Sequence, residues 1–129
     1  MPKVALVVDD SMLMRYTVCR FLEEHGYAVE SASNGAEALE LLENLSPELI
    51  VTDLQMPKMS GEELISAVKG KSELAGVPII VVAGRARNVE KPQHQADFVI
   101  DKDVDIDMQL GKALKVVERQ SARTQKAGK

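Results

Sequence analysis

Four charged side chains sit where this chain could do chemistry: Asp9, Asp10, Asp53 and Lys102. Each closes or follows an apolar run of the kind that forms a buried strand. Val4 to Val8 precedes the acidic pair, Leu49 to Thr52 precedes Asp53, and Phe98 to Ile100 comes shortly before Lys102. If these runs lie in one sheet, three carboxylates converge and repel one another unless a cation sits among them. A hard divalent ion with oxygen ligands is the simplest neutraliser. Octahedral Mg²⁺, which keeps several of its waters, suits so few protein ligands. A lysine opposite the carboxylates completes a pocket with charge of both signs, matched to a dianionic phosphoryl group. Its long stem is needed, because strands lie about 4.8 Å apart and the fifth is not expected beside the third.

The elements that must position these groups alternate in type. Val4 to Val8 is a continuous aliphatic run, as a strand buried on both faces requires. From Ser11 to His25, Met14, Val18, Phe21 and Leu22 fall on one helix face, and Gly26 marks the helix end. Ala28 to Ala32 reads as a second strand. Asn34 and Gly35 open a helix with Ala38, Leu41, Leu42 and Leu45 inward, closed by Pro47. Leu49 to Thr52 is the third strand, and Ser60 with Glu63 forms a capping box for a third helix. Val77 to Val82 is the fourth strand and Phe98 to Ile100 the fifth. Leu110, Ala113, Leu114 and Val117 mark the face of a final helix. Strands alternating with helices imply right-handed crossovers and a doubly wound, five-stranded parallel α/β sheet covered on both sides. Its ligand site belongs beyond the strand C-termini, where the winding reverses.

The totals narrow the function classes. The 129 residues fit one domain, expected over residues 1–120, with a polar, basic tail at 121–129 expected to be disordered. A formal charge of −4 argues against direct nucleic-acid binding. The longest apolar run, Val77 to Ala83, is far short of a membrane span. One cysteine, Cys19, excludes an internal disulfide and suits a reducing compartment. With no basic, apolar, small-residue leader pattern at the start, a cytoplasmic location is expected.

The segments VVDDS (Val7 to Ser11), VTDLQMPKMSGEEL (Val51 to Leu64), VPIIVVAG (Val77 to Gly84) and ADFVIDK (Ala96 to Lys102) resemble the ordered signature of response-regulator receiver domains. The likeness spans about residues 3 to 119. It implies a flavodoxin-like sheet in the order 2-1-3-4-5. It also implies a phosphoacceptor Asp53, charged by a phosphohistidine on a histidine kinase or phosphotransfer protein in a two-component phosphorelay. Asp10 would then bind Mg²⁺ directly and Asp9 through water, with Asp53 and the backbone carbonyl of Gln55 completing the protein ligands. Lys102 would contact a phosphoryl oxygen. Such a domain is a phosphoacceptor rather than an enzyme, with at most slow self-catalysed phosphorylation and dephosphorylation.

Four positions depart from the family pattern. Ala83 stands where a Ser or Thr hydroxyl usually closes the fourth strand, and no Ser or Thr occurs between Ser72 and Ser121. Val99 replaces the usual aromatic three residues before the lysine; the neighbouring Phe98 points to the opposite face. The eighteen residues between Ala83 and Lys102 contain Pro92 and lack an apolar stripe, which predicts a shortened or irregular fourth helix. Asp103 replaces a proline, so a trans peptide is expected there.

Other positions have plainer roles. Ser11 reads as a helix cap, Pro57 and Gly61 as turn formers, and Cys19 as packing, while His25 and His94 are isolated. Met12, Leu13 and Tyr16 cannot all face a core, which makes them candidates for a phosphodonor docking patch. The competing function is a binding module that keeps the fold but works without phosphate. A dehalogenase-type phosphatase needs Asp-x-Asp, whereas these aspartates are contiguous. No nucleotide-binding glycine motif occurs. The output partner is not legible in the sequence.

Overall fold

The computed structural model of the chain describes residues 3–54, 61–83, 97–102 and 105–127. Its elements run β1 (Lys3–Val8), α1 (Met12–Glu24), β2 (Tyr27–Ala32), α2 (Gly35–Leu42), β3 (Leu49–Asp53), α3 (Gly61–Lys69), β4 (Ile79–Ala83), β5 (Phe98–Asp101) and α4 (Ile106–Ala127). The strands form one parallel sheet in the order β2-β1-β3-β4-β5, as the resemblance implies. Winding reverses between β1 and β3, which sit side by side with Val8 opposite Thr52. The residues that follow those two therefore share one end of the sheet.

Alternation along the strands divides the core into two layers. Ala5, Val7, Val51, Ile80, Val82 and Ile100 point toward α1 and α4, where Val18, Phe21, Leu22, Leu110, Ala113 and Leu114 cover them. Leu6, Val8, Ile50, Ile79, Val81 and Ala83 point the other way, onto Ala38 and Leu42 of α2 and Leu64, Ile65 and Val68 of α3. Both faces of β1, β3 and β4 are thus dry, which is why these strands carry unbroken apolar runs. Leu41 and Leu45, expected inward, are only partly buried against the second layer.

The helix starts follow the capping reading. Ser11 Oγ accepts from Met14 N–H, and Asn34 accepts from Glu37 N–H while the Glu37 carboxylate returns to Ser33 N–H at 2.6 Å. Gly26 takes φ 93° just past α1, a backbone conformation open to glycine at little cost. β4 begins at Ile79 rather than Val77. Pro78 has no N–H to give the ladder, although its carbonyl accepts from Ile50 at 3.0 Å.

The end of the last helix also differs from the reading of the sequence. The backbone of α4 stays helical through Ala127, beyond the expected end at Gln120. Residues 121–127 contain neither Gly nor Pro and include the good helix formers Ala122, Arg123, Gln125 and Lys126, so propagation continues through Ala127. The expected fourth helix after Ala83, the Ser60 cap, Pro57, Gln55 and the peptide before Asp103 lie outside the described residues. Among those described, no helix is long and apolar enough to cross a membrane.

Candidate functional site

The acidic pocket forms where β1, β3 and β5 end. Asp9 follows β1 and is buried; its N–H donates to Ala32 O at 3.1 Å, which extends the β1–β2 ladder by one step. Asp10, next in the chain, is exposed. Asp53 closes β3 and is also buried. Carboxylate oxygens of Asp9, Asp10 and Asp53 lie within 4.8 Å of one another. Lys102, just past β5, reaches over β4, with its Nζ 2.9 Å from Asp53 Oδ2 and 3.7 Å from Asp9 Oδ2. The four side chains singled out in the sequence therefore meet.

The electrostatics match this crowding. Burial, the largest influence, raises the Asp9 pKa above its ordinary value. The Ser11 N–H opposes it, Asp53 reinforces it, Lys102 opposes it and Asp10 adds to it. Burial alone would lower the Lys102 pKa. The hydrogen bond to Asp53 and the charges of Asp9, Asp53 and Asp10 together outweigh it, so the ammonium is held above its usual range. The pocket keeps a fixed cation beside a surplus of negative oxygen. Three hard oxygen donors at this spacing could hold an octahedral divalent ion, and Asp10 among them is open to solvent.

Two supporting residues, Arg15 and Gln109, were not singled out in the sequence, and Ser11 and Lys102 make further contacts. Arg15 Nη1 donates to the carbonyl of Asp9 at 2.7 Å, fastening α1 to the acidic pair. Ser11 N–H donates to Asp9 Oδ1 at 2.9 Å, in addition to the capping role of its hydroxyl. Gln109 clamps the end of β5: Asp101 N–H donates to its Oε1 at 3.0 Å, and its Nε2 donates to Asp101 O at 2.8 Å. Lys102 N–H donates to Ala83 O at 3.0 Å, so the lysine backbone is fixed to β4. The spacing of Arg15 four residues after the Ser11 cap was the available signal. Nothing in sequence spacing marks Gln109.

The departures from the family pattern also find their places. Ala83 ends β4 buried within the α2/α3 layer. Val99 packs toward that same layer and Phe98 toward the α1/α4 layer, on opposite faces of β5 as alternation requires. Among the described residues the large exposed apolar side chains are Met12, Leu13 and Tyr16 of α1 and Met108 of α4, all within the first two turns of their helices.

Comparison with known proteins points one way. Residues 5–115 match the family model described as response regulator receiver domain. The polar-differentiation response regulator DivK of Brucella anthropi is 36% identical over 86 residues, which cover 67% of this chain and 70% of that protein. The solved structure of chemotaxis response regulator CheY4 of Vibrio cholerae superposes with a TM-score of 0.83 at 30% identity, covering 91% of this chain and 99% of that one. The response regulator TrrA of Thermotoga maritima, solved in complex with Mg²⁺-BeF, gives a TM-score of 0.79 at 28% identity over 89% of this chain and 98% of its own. Against longer curated regulators the chain spans only 36% of their length.

Proposed function

Because this chain belongs to the response regulator receiver domain family, a phosphoacceptor of two-component signalling, we propose that Asp53 is the residue that takes the phosphoryl group. The observation that carries the assignment is the contact of Lys102 Nζ with Asp53 Oδ2 at 2.9 Å inside the acidic pocket. A carboxylate oxygen of Asp53 forms the new bond to phosphorus as the bond from phosphorus to the donor's histidine nitrogen breaks. Asp53 sits at the end of a strand buried on both faces, so its carboxylate is held rather than flexible. Lys102, fixed through its own N–H and through the Gln109 clamp on Asp101, holds positive charge where phosphoryl oxygens arrive.

Asp9, Asp10 and Asp53, with the backbone carbonyl of Gln55 implied by the family, would hold Mg²⁺. When bound, it supplies charge neutralisation for the anionic carboxylates and the incoming phosphoryl group. Ser11 N–H and Arg15 hold Asp9 in position through its Oδ1 and its carbonyl. The donor is a histidine kinase or a phosphotransfer protein. It docks on the apolar patch of Met12, Leu13, Tyr16 and Met108, which flanks the pocket without filling it. Any self-catalysed phosphorylation or dephosphorylation is slow.

The test is acetyl phosphate or beryllofluoride with Mg²⁺ on the intact chain, read by intact mass and by NMR. A phosphate adduct that maps to Asp53 and is absent from Asp53→Asn is expected. A folded protein that stays unmodified under saturating donor, or an adduct that persists in Asp53→Asn, overturns the assignment. The comparisons favour phosphoryl acceptance over the phosphate-independent binding module.

A further inference from the structure

At the opposite end of the sheet from Asp53, a pocket of about 460 Å³ opens between the starts of β1 and β2, the turns entering β3 and β4, and α4. Its lining is uneven in charge, with the carboxylates of Glu48, Glu73 and Glu118 set against the single cation Lys3. Apolar surface comes from Val77, Val117 and the ring of Tyr27. Lys3 Nζ stands 5.0 Å from the centroid of that ring and 3.1 Å from Glu118 Oε2. The same carboxylate oxygen accepts from the Tyr27 hydroxyl at 3.1 Å. Burial, then the charges of Glu118 and Glu48, push the Tyr27 phenol well above its ordinary range, so it stays a neutral donor with an electron-rich face. The chain's own ammonium thus occupies a seat made of an aromatic face and a carboxylate.

Lys3 is a poor match for that seat. Its side chain and that of Glu118 are 47% and 43% exposed, and an ion pair this open contributes little. A guanidinium fits better. It is planar and weakly hydrated, stacks on an aromatic ring and forks two N–H groups onto one carboxylate. We propose that this pocket binds an alkylguanidinium group, with Lys3 as the resident cation that the ligand displaces. The guanidinium lies over Tyr27 and hydrogen-bonds Glu118. Its alkyl stem rests on Val77 and Val117, while Glu48 and Glu73 add attraction at the rim. The inference is independent of the phosphoacceptor reading, since the two sites lie at opposite ends of the strands.

NMR titration of the full chain with N-acetylarginine methylamide tests it, with the citrulline analogue as uncharged control. Saturable shifts are expected at the amides of Lys3, Tyr27, Glu48 and Glu118, with none from the citrulline analogue. Lys3→Ala should tighten binding by about threefold and Glu118→Gln should weaken it by about tenfold, as loss of a competing exposed cation and of a bidentate acceptor requires. Ethylguanidinium binding equally well assigns the site to free guanidines; clearly tighter binding of the arginine derivative assigns it to arginine side chains, and both support the proposal. No saturable shift in either the parent chain or Lys3→Ala overturns it, as does equal binding of the citrulline analogue.

Discussion

Replacing Asp9 with asparagine should make the metal-free protein more stable, although it removes a proposed metal ligand. Asp9 is 3% exposed and shares its pocket with two other carboxylates whose oxygens lie within 4.8 Å. At an effective dielectric of about 20, unit charges at that separation repel by about 3 kcal/mol, while the Lys102 contact at 3.7 Å returns about 4. Exposed Asp10 is well screened and counts for little, so the Lys102 attraction exceeds the Asp53 repulsion by about 1 kcal/mol. Burying the charged form costs about 2–3 kcal/mol, which leaves about 1–2 kcal/mol against ionised Asp9. Asparagine keeps an oxygen for Ser11 N–H and drops the charge. With EDTA at pH 7, the urea midpoint should rise by about 0.5–1 M for a slope of about 2 kcal/mol/M.

The pH dependence has a definite sign. A carboxyl whose folded pKa is raised favours the fold while protonated, so its contribution falls as pH climbs from its ordinary 3.8 through the raised folded value. Asp9→Asn should lack that fall. Magnesium should reverse the ranking: at a hundred times its Kd a bound ion adds about 2.7 kcal/mol to the parent protein and less to the variant. A lower midpoint for Asp9→Asn in EDTA, or an equal magnesium response in both proteins, would refute the reasoning.

Ala83→Ser places a hydroxyl at the end of β4 inside the α2/α3 layer; it should cost about 1 kcal/mol in urea unfolding and speed modification by acetyl phosphate several-fold, as followed by intact mass. Alanine at Met12, Leu13 and Tyr16 together should slow transfer from a phosphohistidine protein at least about tenfold while leaving acetyl phosphate reactivity unchanged, because these exposed side chains flank the pocket without entering it. Tyr27→Phe removes the hydrogen bond to Glu118 and should lower stability by about 1 kcal/mol, measured by thermal unfolding.

The sheet was legible because burial on both faces leaves a mark that periodicity can find. Val4 to Val8, Leu49 to Val51 and Ile79 to Ala83 are uninterrupted apolar runs for that reason. The strand order came from the resemblance, since no local pattern says that β1 lies between β2 and β3. Asp9, Asp10, Asp53 and Lys102 could be found because each follows or ends such a run. Arg15 and Gln109 escaped because each acts through the backbone of another residue, the Asp9 carbonyl and the Asp101 peptide groups, and such partners are set by three-dimensional approach. The far end of α4 leaves no apolar stripe to read, and only its residue types, which propagate a helix well, mark it.

The guanidinium of Arg15 ties the first turns of α1 to the peptide joining the two neighbouring aspartates. Met12, Leu13 and Tyr16 ride on those same turns. A protein that grips this apolar ridge therefore also holds the acidic pair by a short mechanical link. Displacing that ridge would move the Asp9 carboxylate, which lies beside Asp53 and Lys102.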